Sequence, residues 1–326
     1  MSLAPWLSPA WDVLAAALAA GRLHHALLLA APAGLGKRAL AEALAAAALC
    51  EARGSDGHAC GTCRGCRLRI AGTHPDLVRV GLELRDDGRP RTELTVDQLR
   101  ALNQRLAMSS QFGGMQVALV DPADAMNASA ANALLKTLEE PASATVIVLL
   151  ADDPSRLPAT IRSRCQRVSI EPPSRDAALA WLGAQGVDRA RAAAALEGAL
   201  GNPGLALAWA GDDTLAMRDA CAADLAGLGS ARMAASDVAE RWAADRAGTR
   251  LWLAAALACE EARGLARGEA GRLGLTSRGE IPKLAAWSGR ANRARALLAT
   301  TLRADLVLLD LLRGWPRRAD APSRRL

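Results

Sequence analysis

Four cysteines lie close together in the first quarter of the chain: Cys50, Cys60, Cys63 and Cys66. The last three form two overlapping C-x₂-C pairs, and the glycines between them allow tight turns. Four thiolates are soft ligands whose spacing suits tetrahedral zinc, and they would fill its coordination sphere. The spacing therefore predicts a structural zinc site. The alternatives are an iron–sulfur cluster, although the trailing Cys-Pro of the bacterial ferredoxin pattern is missing, and unliganded thiols.

An incomplete P-loop motif, APAGLGKR, follows an apolar run and leads into a helix. The full motif is Gly, four residues, then Gly-Lys-Ser/Thr, and Gly34, Gly36 and Lys37 could still cradle a phosphate. Ala31 replaces the first glycine, and a Cβ at a turn of positive φ costs about 1–2 kcal/mol. Arg38 replaces the hydroxyl residue, so it offers no oxygen to Mg²⁺ and opposes the helix dipole. The motif predicts a degenerate, vestigial nucleotide site, and weak nucleotide binding is the alternative.

The second half of an ATPase pocket would be an apolar strand that ends in Asp-Glu. Here Asp121 is followed by Pro122, which has no carboxylate to align a water molecule. Losing a positioned base typically costs ~10²–10⁴ in rate. Both halves lack the groups that do chemistry, so we expect a domain that does not hydrolyse ATP. The alternative is an active ATPase in which Lys37 and Asp121 suffice and Arg38 replaces part of the metal's charge.

Three arginines, Arg162, Arg164 and Arg167, form a cationic cluster that follows the apolar run Val146–Leu150. Judged by residue type alone, they are surface residues or contacts to a phosphate backbone. A role in trans, in the active site of another subunit, is a second possibility, because an arginine placed beside a γ-phosphate stabilises the transition state of phosphoryl transfer.

Residues 116–167 are predicted to contain the strand–helix–strand unit that must position these groups. Val117–Val120 and Val146–Leu150 are predicted buried strands, and the intervening helix begins at the cap Asn127 and stops at Pro141. Such a unit forms a right-handed parallel crossover, and ligands bind beyond the carboxyl ends of its strands. Asp121 is therefore expected at the mouth of a site, and so is the cationic cluster of Arg162, Arg164 and Arg167.

The other predicted elements surround this unit. Helices are expected over Ser8–Ala20, Ala39–Leu49 and Asp97–Met108, and strands over Ala26–Ala30 and Leu77–Val80. Beyond residue 170 the chain is alanine-rich and helical. The clearest helix there is predicted over 291–313, with one stripe of leucines at 298, 302, 306, 309 and 312, and the basic tail over 317–326 is predicted to be disordered.

The composition limits the class of protein. Of 326 residues 51% are hydrophobic, so the chain is folded, and its net charge of +6 allows a nucleic-acid partner without requiring one. The sequence shows no signal peptide and no apolar run of ~20 residues, and seven cysteines then indicate thiols or metal rather than disulfides. We expect a cytoplasmic, multi-domain protein without a membrane partner. A zinc-stabilised DNA-binding protein that uses its excess of arginine is a further alternative.

Together, these residues resemble the clamp-loader branch of the AAA+ family. The resemblance rests on NALLKTLEEP at 132–141, TIRSRC at 160–165 and the cysteine module after a glycine loop, and it covers residues 21–170. It implies an α/β AAA+ parallel-sheet domain over 1–170 with a zinc module at 50–66. A small helical lid over 171–211 and an all-α collar over 212–326 would follow.

The resemblance also implies a function. Clamp loaders of bacterial DNA polymerase III are five-membered rings in which three gamma/tau motor subunits bind ATP and a delta subunit opens the sliding clamp on primed DNA. The motif Ser-Arg-Cys carries an arginine finger, here Arg164, that reaches the neighbouring subunit's ATP. The departures at Ala31, Arg38, Pro122 and Gly204, where a sensor arginine is expected, imply a subunit that does not itself bind or hydrolyse ATP.

Overall fold

A computed structural model of the chain describes residues 3–85, 88, 91–142, 144–269, 271–298 and 302–317. The chain divides into two compact units, one of residues 1–181 with 202–204, the other of residues 182–201 with 205–326. The division into three domains at 170 and 211 stays a prediction. No described helix is both long and apolar enough to cross a bilayer.

The first unit is built around a five-stranded parallel sheet in the order β2-β3-β4-β1-β5. Its strands are β1 Ala26–Ala30, β2 Leu77–Val80, β3 Gln116–Val120, β4 Thr145–Ala151 and β5 Gln166–Ser169. β1, β3 and β4 are buried along their whole length, as expected for apolar strands covered on both faces. The register pairs Ala30 with Ala151 and Val120 with Leu149. The carboxyl ends of β3, β4 and β1 therefore lie side by side.

Helices cover both faces of this sheet. They are α1 Ser8–Ala19, α2 Lys37–Ala48, α3 Arg64–Ile70, α4 Val96–Leu106, α5 Ala128–Glu139, α6 Ala159–Arg162 and the start of α7 Arg175–Ala184, with 3₁₀ turns at Pro5–Leu7, Ala123–Ala125 and Pro154–Arg156. Alternate strand residues such as Leu27 and Leu28 belong to different apolar clusters. One cluster includes α1 and α2 and the other includes α4 and α5, so the α/β fold class is confirmed.

The second unit is helical in its described part. It contains the end of α7, α8 Arg189–Gly198, most of α9 Pro203–Gly211, α10 Thr214–Gly229, α11 Ala235–Ala244, α12 Ala247–Arg267, the 3₁₀ turn Arg278–Glu280, α13 Ile281–Leu297 and α14 Ala304–Arg313. Trp242 and Trp287 are fully buried. The indole of Trp242 donates to Asp224 at 2.8 Å, and buried Glu261 accepts the backbone N–H groups of Leu273 and Leu275, both at 3.0 Å. These acceptors satisfy donors that burial would otherwise leave unpaired.

The secondary structure differs from the sequence-based expectation at two places. Residues 166–169, for which no strand was predicted, form the edge strand β5, which is mostly exposed and so lacks an apolar run. The single helix expected over 291–313 is two helices, because Arg303 is extended (φ −65°, ψ 120°) just before α14. Leu302 and Leu306 are 55% and 56% exposed, so the leucine stripe is not continuous. Apart from Arg317, the predicted disordered tail lies outside the described residues.

The cap of α5 gives a test of the fold. The Asn127 side-chain oxygen accepts the backbone N–H of Ala130 at 2.9 Å, as predicted. Replacing Asn127 by alanine leaves that N–H without its acceptor, so we expect the free energy of unfolding to fall by about 1 kcal/mol. Denaturant titration followed by circular dichroism measures this, and Asn127→Ser should keep most of the stability. An alanine variant as stable as the parent would contradict the assigned cap.

Candidate functional site

The glycine loop joins β1 to α2 at the carboxyl edge of the sheet. Gly34 and Gly36 have φ of +88° and +89°, which favours glycine, and a Cβ on Gly36 would come within 2.9 Å of the buried Leu7 side chain. Ala31 is not in the left-handed region, so the strain expected from its Cβ is not found. The loop therefore keeps the glycines that its shape requires.

Lys37 is 5% exposed, and its ammonium group forms an ion pair with the carboxylate of Asp152. Asp152 directly follows β4, just as Asp121 follows β3. Asp152 was not predicted as a site residue, although it follows a buried parallel strand just as Asp121 does. The one lysine of the loop thus already has an anionic partner within the chain.

Arg38 forms the second ion pair of the loop. Its Nε and Nη2 atoms donate to the two carboxylate oxygens of Asp121, with Nη2 3.3 Å from Oδ1. This hydrogen bonding with Asp121 raises the pKa of Arg38 above its usual value. The carboxylate also offsets the unfavourable position of a cation in the first turn of α2. The Asp121 carboxylate, which would face a metal ion in an active site, is therefore already bound to the guanidinium of Arg38.

Three carbonyl oxygens of the loop are bound by groups from distant parts of the first unit. The Trp6 indole donates to Leu35 at 2.9 Å, and the Asn202 amide donates to Ala33 at 2.7 Å. The backbone N–H of Gly204 donates to Gly34 at 3.1 Å. A Cβ on Gly204 would collide with the Gly34 backbone, so no arginine side chain fits there in this arrangement. These three hydrogen bonds fix the backbone of the loop.

The arginine cluster was predicted at the mouth of the same site as Asp121, but in the described contacts it does not join the loop residues. Arg164 contacts Glu139 at the end of α5 and the backbone of Thr160 in α6. Arg162 is the last residue of α6, Arg167 lies in β5, and both are exposed. Asp121 and Lys37 thus share the glycine-loop site, whereas Arg164 belongs to a separate surface of the first unit.

The four predicted metal ligands are brought together. The Sγ atoms of Cys50, Cys60, Cys63 and Cys66 all lie within 4.8 Å of one another. The Cys50–Cys63 and Cys60–Cys66 separations are 3.9 and 4.0 Å. A tetrahedral ion with ~2.3 Å zinc–sulfur bonds requires sulfurs about 3.8 Å apart. The cluster could therefore bind a metal ion with little rearrangement.

Backbone N–H groups and burial shift the pKa values of two of these thiols. The N–H groups of Thr62 and Cys63 donate to the Cys60 sulfur and lower the pKa of Cys60 to about 6, which favours the thiolate. Burial raises the pKa of Cys66 to about 12 in the absence of a metal. Cys63 caps α3, which carries Cys66. The site is thus assembled from a loop and the first turn of one helix.

The cysteine module is fixed to the sheet domain through α1 and the end of α2. The rings of His58 and Trp11 stack with centroids 4.1 Å apart, and the Trp11 indole donates to the Asp56 carbonyl at 3.2 Å. A Cβ on Gly65 would collide with the carbonyl of Leu49, so that close approach requires glycine. Loss of the module's shape would therefore disturb the packing of α1.

A parallel α/β domain with a glycine loop at a helix start and an acidic residue after the adjacent strands defines the class of P-loop-type nucleotide-binding domains. A four-cysteine cluster between the glycine loop and β2 is a second feature, which the P-loop motif itself does not include. The chain belongs to the family described as DNA polymerase III, delta subunit, whose model matches residues 6–174. The AAA+ fold class implied by the resemblance is thereby confirmed.

Curated relatives agree with the family. The chain is 46% identical to the DNA polymerase III subunit delta' of Pseudomonas aeruginosa over 180 residues, 55% of this chain and 52% of that protein. It is 41% identical to the Escherichia coli subunit delta' over 222 residues, 67% of this chain and 64% of that protein. Subunit tau of Escherichia coli is 37% identical over 158 residues, 48% of this chain and 23% of tau. The chain thus spans about half to two thirds of the length of its delta' relatives.

Proposed function

We propose that this chain is a non-hydrolysing, delta-prime-type subunit of a bacterial DNA polymerase III clamp loader. It would complete the ATP site of a neighbouring gamma/tau motor subunit with Arg164 and would not bind ATP itself. A role in bacterial DNA replication would place it in the cytoplasm. The family and the delta' relatives support membership of this complex. The ion pairs of Lys37 and Arg38 support the proposal that this chain does not bind ATP itself.

The observation that carries the proposal is the pairing of both cations of the glycine loop. Lys37 is buried against Asp152, and Arg38 is bound to both oxygens of Asp121. An incoming nucleotide would have to displace Lys37 from Asp152, and a metal ion would have to displace Arg38 from Asp121. Breaking these two ion pairs would weaken nucleotide binding relative to an ordinary P-loop, because the lysine and metal ligands of an ordinary P-loop face the phosphates.

The proposed partners follow from the family. They are the gamma/tau motor subunits and the delta subunit of a five-membered ring, with the sliding clamp and primed DNA bound through the whole complex. The relatives named delta' and tau support the presence of motor subunits in the same assembly. Arg164 would face the γ-phosphate of the neighbour, where a cation neutralises the charge that develops during phosphoryl transfer.

The competing interpretations have less support. An active ATPase would need Arg38 to replace part of the metal's charge at the phosphates, but its guanidinium is already bound to Asp121. A zinc-stabilised DNA-binding protein would use exposed arginines directly. Many exposed arginines are paired with carboxylates of the chain, among them Arg79, Arg246 and Arg303. DNA binding by the isolated chain tests this interpretation, because strong binding whose salt dependence weakens on removing tail arginines would favour it.

Nucleotide binding by the isolated chain tests the proposal. We expect no retention of ATP with Mg²⁺, which corresponds to a Kd weaker than about 1 mM, because both loop cations are already paired. Equilibrium dialysis with radiolabelled ATP measures this. The matched variants are Lys37→Ala in the loop and Lys283→Ala in the second unit. Tight, Mg²⁺-dependent binding that only Lys37→Ala abolishes would contradict the proposal and favour an active ATPase.

We further propose that the four-cysteine cluster holds structural zinc. Sulfur-only ligands at these separations suit zinc, and a filled coordination sphere leaves no position for a substrate. When bound, the ion would join the loop after α2 to the start of α3 and would supply no chemistry to the reaction. The ligands would be Cys50, Cys60, Cys63 and Cys66.

A further inference from the structure

The guanidinium of Arg164 is held on more than one side by its own chain. Nε donates to the Glu139 carboxylate at 2.7 Å, and Nη2 forms an ion pair with the same carboxylate. Nη1 donates to the backbone carbonyl of Thr160 at 2.9 Å and lies 3.4 Å from the Ser163 hydroxyl. A surface arginine usually samples many rotamers, whereas this one is restrained at all three of its nitrogens.

The partners of Arg164 are themselves fixed by the core. Glu139 is the last residue of α5 and follows Leu138, which is 1% exposed. Ile161 in α6 is fully buried in the same apolar cluster as Leu138. The carboxylate and the Thr160 carbonyl are thus attached to backbone that packs against one side of the sheet. The guanidinium is therefore tied to the rigid part of the domain.

The restraint still leaves the arginine able to bind an anion. A guanidinium has five N–H groups, and the carboxylate takes one from Nε and one from Nη2. At least one hydrogen of Nη2 is left for an acceptor outside the chain. The Arg164 side chain is 35% exposed, so such an acceptor can reach it. A phosphate could bind there while Glu139 stays in place.

We propose that Glu139 is a positioning residue that presets the orientation of Arg164 for the neighbouring subunit's ATP. The inference rests on the proposed function of Arg164 in trans and adds a residue that the Ser-Arg-Cys motif does not contain. Glu139 orders the side chain before the two subunits meet. The rotamer entropy of the arginine is then lost in folding rather than in the reaction.

Positioning and charge compensation predict opposite effects. If Glu139 only neutralises Arg164, its removal would strengthen the field at the γ-phosphate and speed hydrolysis. If Glu139 orients Arg164, its removal frees the guanidinium and slows hydrolysis at saturating ATP. We expect a fall of about fivefold in the maximal rate, with half-saturation by ATP little changed, because an ordered side chain contributes to the transition state.

The test uses the full chain reconstituted with its motor and delta subunits and measures pre-steady-state ATP hydrolysis at the neighbouring site. The variants are Glu139→Ala, Glu139→Gln and the double variant with Arg164→Ala, and Glu140→Ala is the matched control. Glu140 makes no ion pair with a described residue and is adjacent in the chain. We expect Glu139→Gln to rescue part of the rate, because the amide oxygen can accept the Nε hydrogen, and Glu140→Ala to behave as the parent.

The double variant separates the two proposals. In the Arg164→Ala background, Glu139→Ala should have no further effect, because its target is gone. If Arg164→Ala slows hydrolysis but Glu139→Ala leaves the rate unchanged or raises it, the positioning role is wrong and the proposed function stands. A loss that is fully additive in the double variant also overturns positioning. If Arg164→Ala itself has no effect, the proposed function is wrong.

A spectroscopic measurement on the isolated chain tests the geometry without any complex. The Nε–H of Arg164 should give a resolved nitrogen–proton NMR signal with slowed solvent exchange, assigned by its loss in Arg164→Ala. In Glu139→Ala that signal should broaden or exchange at least about tenfold faster, since the N–H loses its acceptor. An unchanged signal would overturn the proposed restraint.

Discussion

Replacing Arg164 by alanine should lower the rate of ATP hydrolysis at the neighbouring motor subunit's site by about 10³-fold in the reconstituted complex. An arginine finger is worth ~10³–10⁵ in rate, because it neutralises the charge that develops on the γ-phosphate. Pre-steady-state phosphate release measures this, and the burst should lose about one ATP per complex. Arg164→Lys should not restore the rate, because an ammonium group cannot reproduce the guanidinium's planar set of donors.

The matched control for this experiment is Arg162→Ala. Arg162 is the last residue of α6 and exposed, two positions from Arg164. It should leave the burst unchanged while removing the same formal charge. Size-exclusion chromatography should show that each variant assembles with its partners. An assembled Arg164→Ala complex with the parent's burst would contradict the role in trans, and an equal loss in Arg162→Ala would show a general effect of charge.

Replacing Cys63 by serine should release metal and destabilise the first unit by about 3–5 kcal/mol. This is a fraction of the ~10–16 kcal/mol apparent for structural zinc in small peptides, because the sheet and its two apolar clusters fold around the module. The serine hydroxyl can still cap α3 but is a poor zinc ligand. Elemental analysis and denaturant titration, with and without a chelator, measure the two effects.

Cys259→Ser is the matched control for the metal site. Cys259 is a partly buried thiol in α12 whose sulfur lies 3.2 Å from the Ser288 hydroxyl, in the second unit. Its substitution should keep the metal content of the parent. Native protein without zinc would remove the zinc proposal, whereas iron with a visible charge-transfer absorption would favour the iron–sulfur alternative.

Local patterns predicted those parts of the fold in which burial dictates the residue type. β1 and the core strands β3 and β4 are apolar runs, and α4 buries Leu99, Leu102 and Leu106 as its periodicity indicates. The cap at Asn127 was readable because Asn, unlike most residues, accepts a backbone N–H from its own side chain. The four-cysteine site could be predicted because the affinity of closely spaced thiolates for a metal ion does not depend on the surrounding fold.

The partners of the charged residues could not be predicted in the same way. Lys37 with Asp152 and Arg164 with Glu139 are pairs separated by 115 and 25 positions. No periodicity relates the members of such a pair, because tertiary packing alone brings them together. Edge strand β5 was missed for a related reason, since its exposed residues carry no apolar signal. The sequence therefore indicated which groups could do chemistry but not which of them were already bound.

The contact between Gly204 and Gly34 limits which substitutions could complete a P-loop site in this chain. A threonine placed at position 38 would still leave Lys37 paired with Asp152, and an arginine at 204 cannot enter without moving the backbone of Gly34. Completing the site would therefore require several changes together rather than a single substitution. Under the proposed function, the packing around the loop makes this chain easier to adapt as a partner of a neighbouring ATP site than to convert into an independent ATPase.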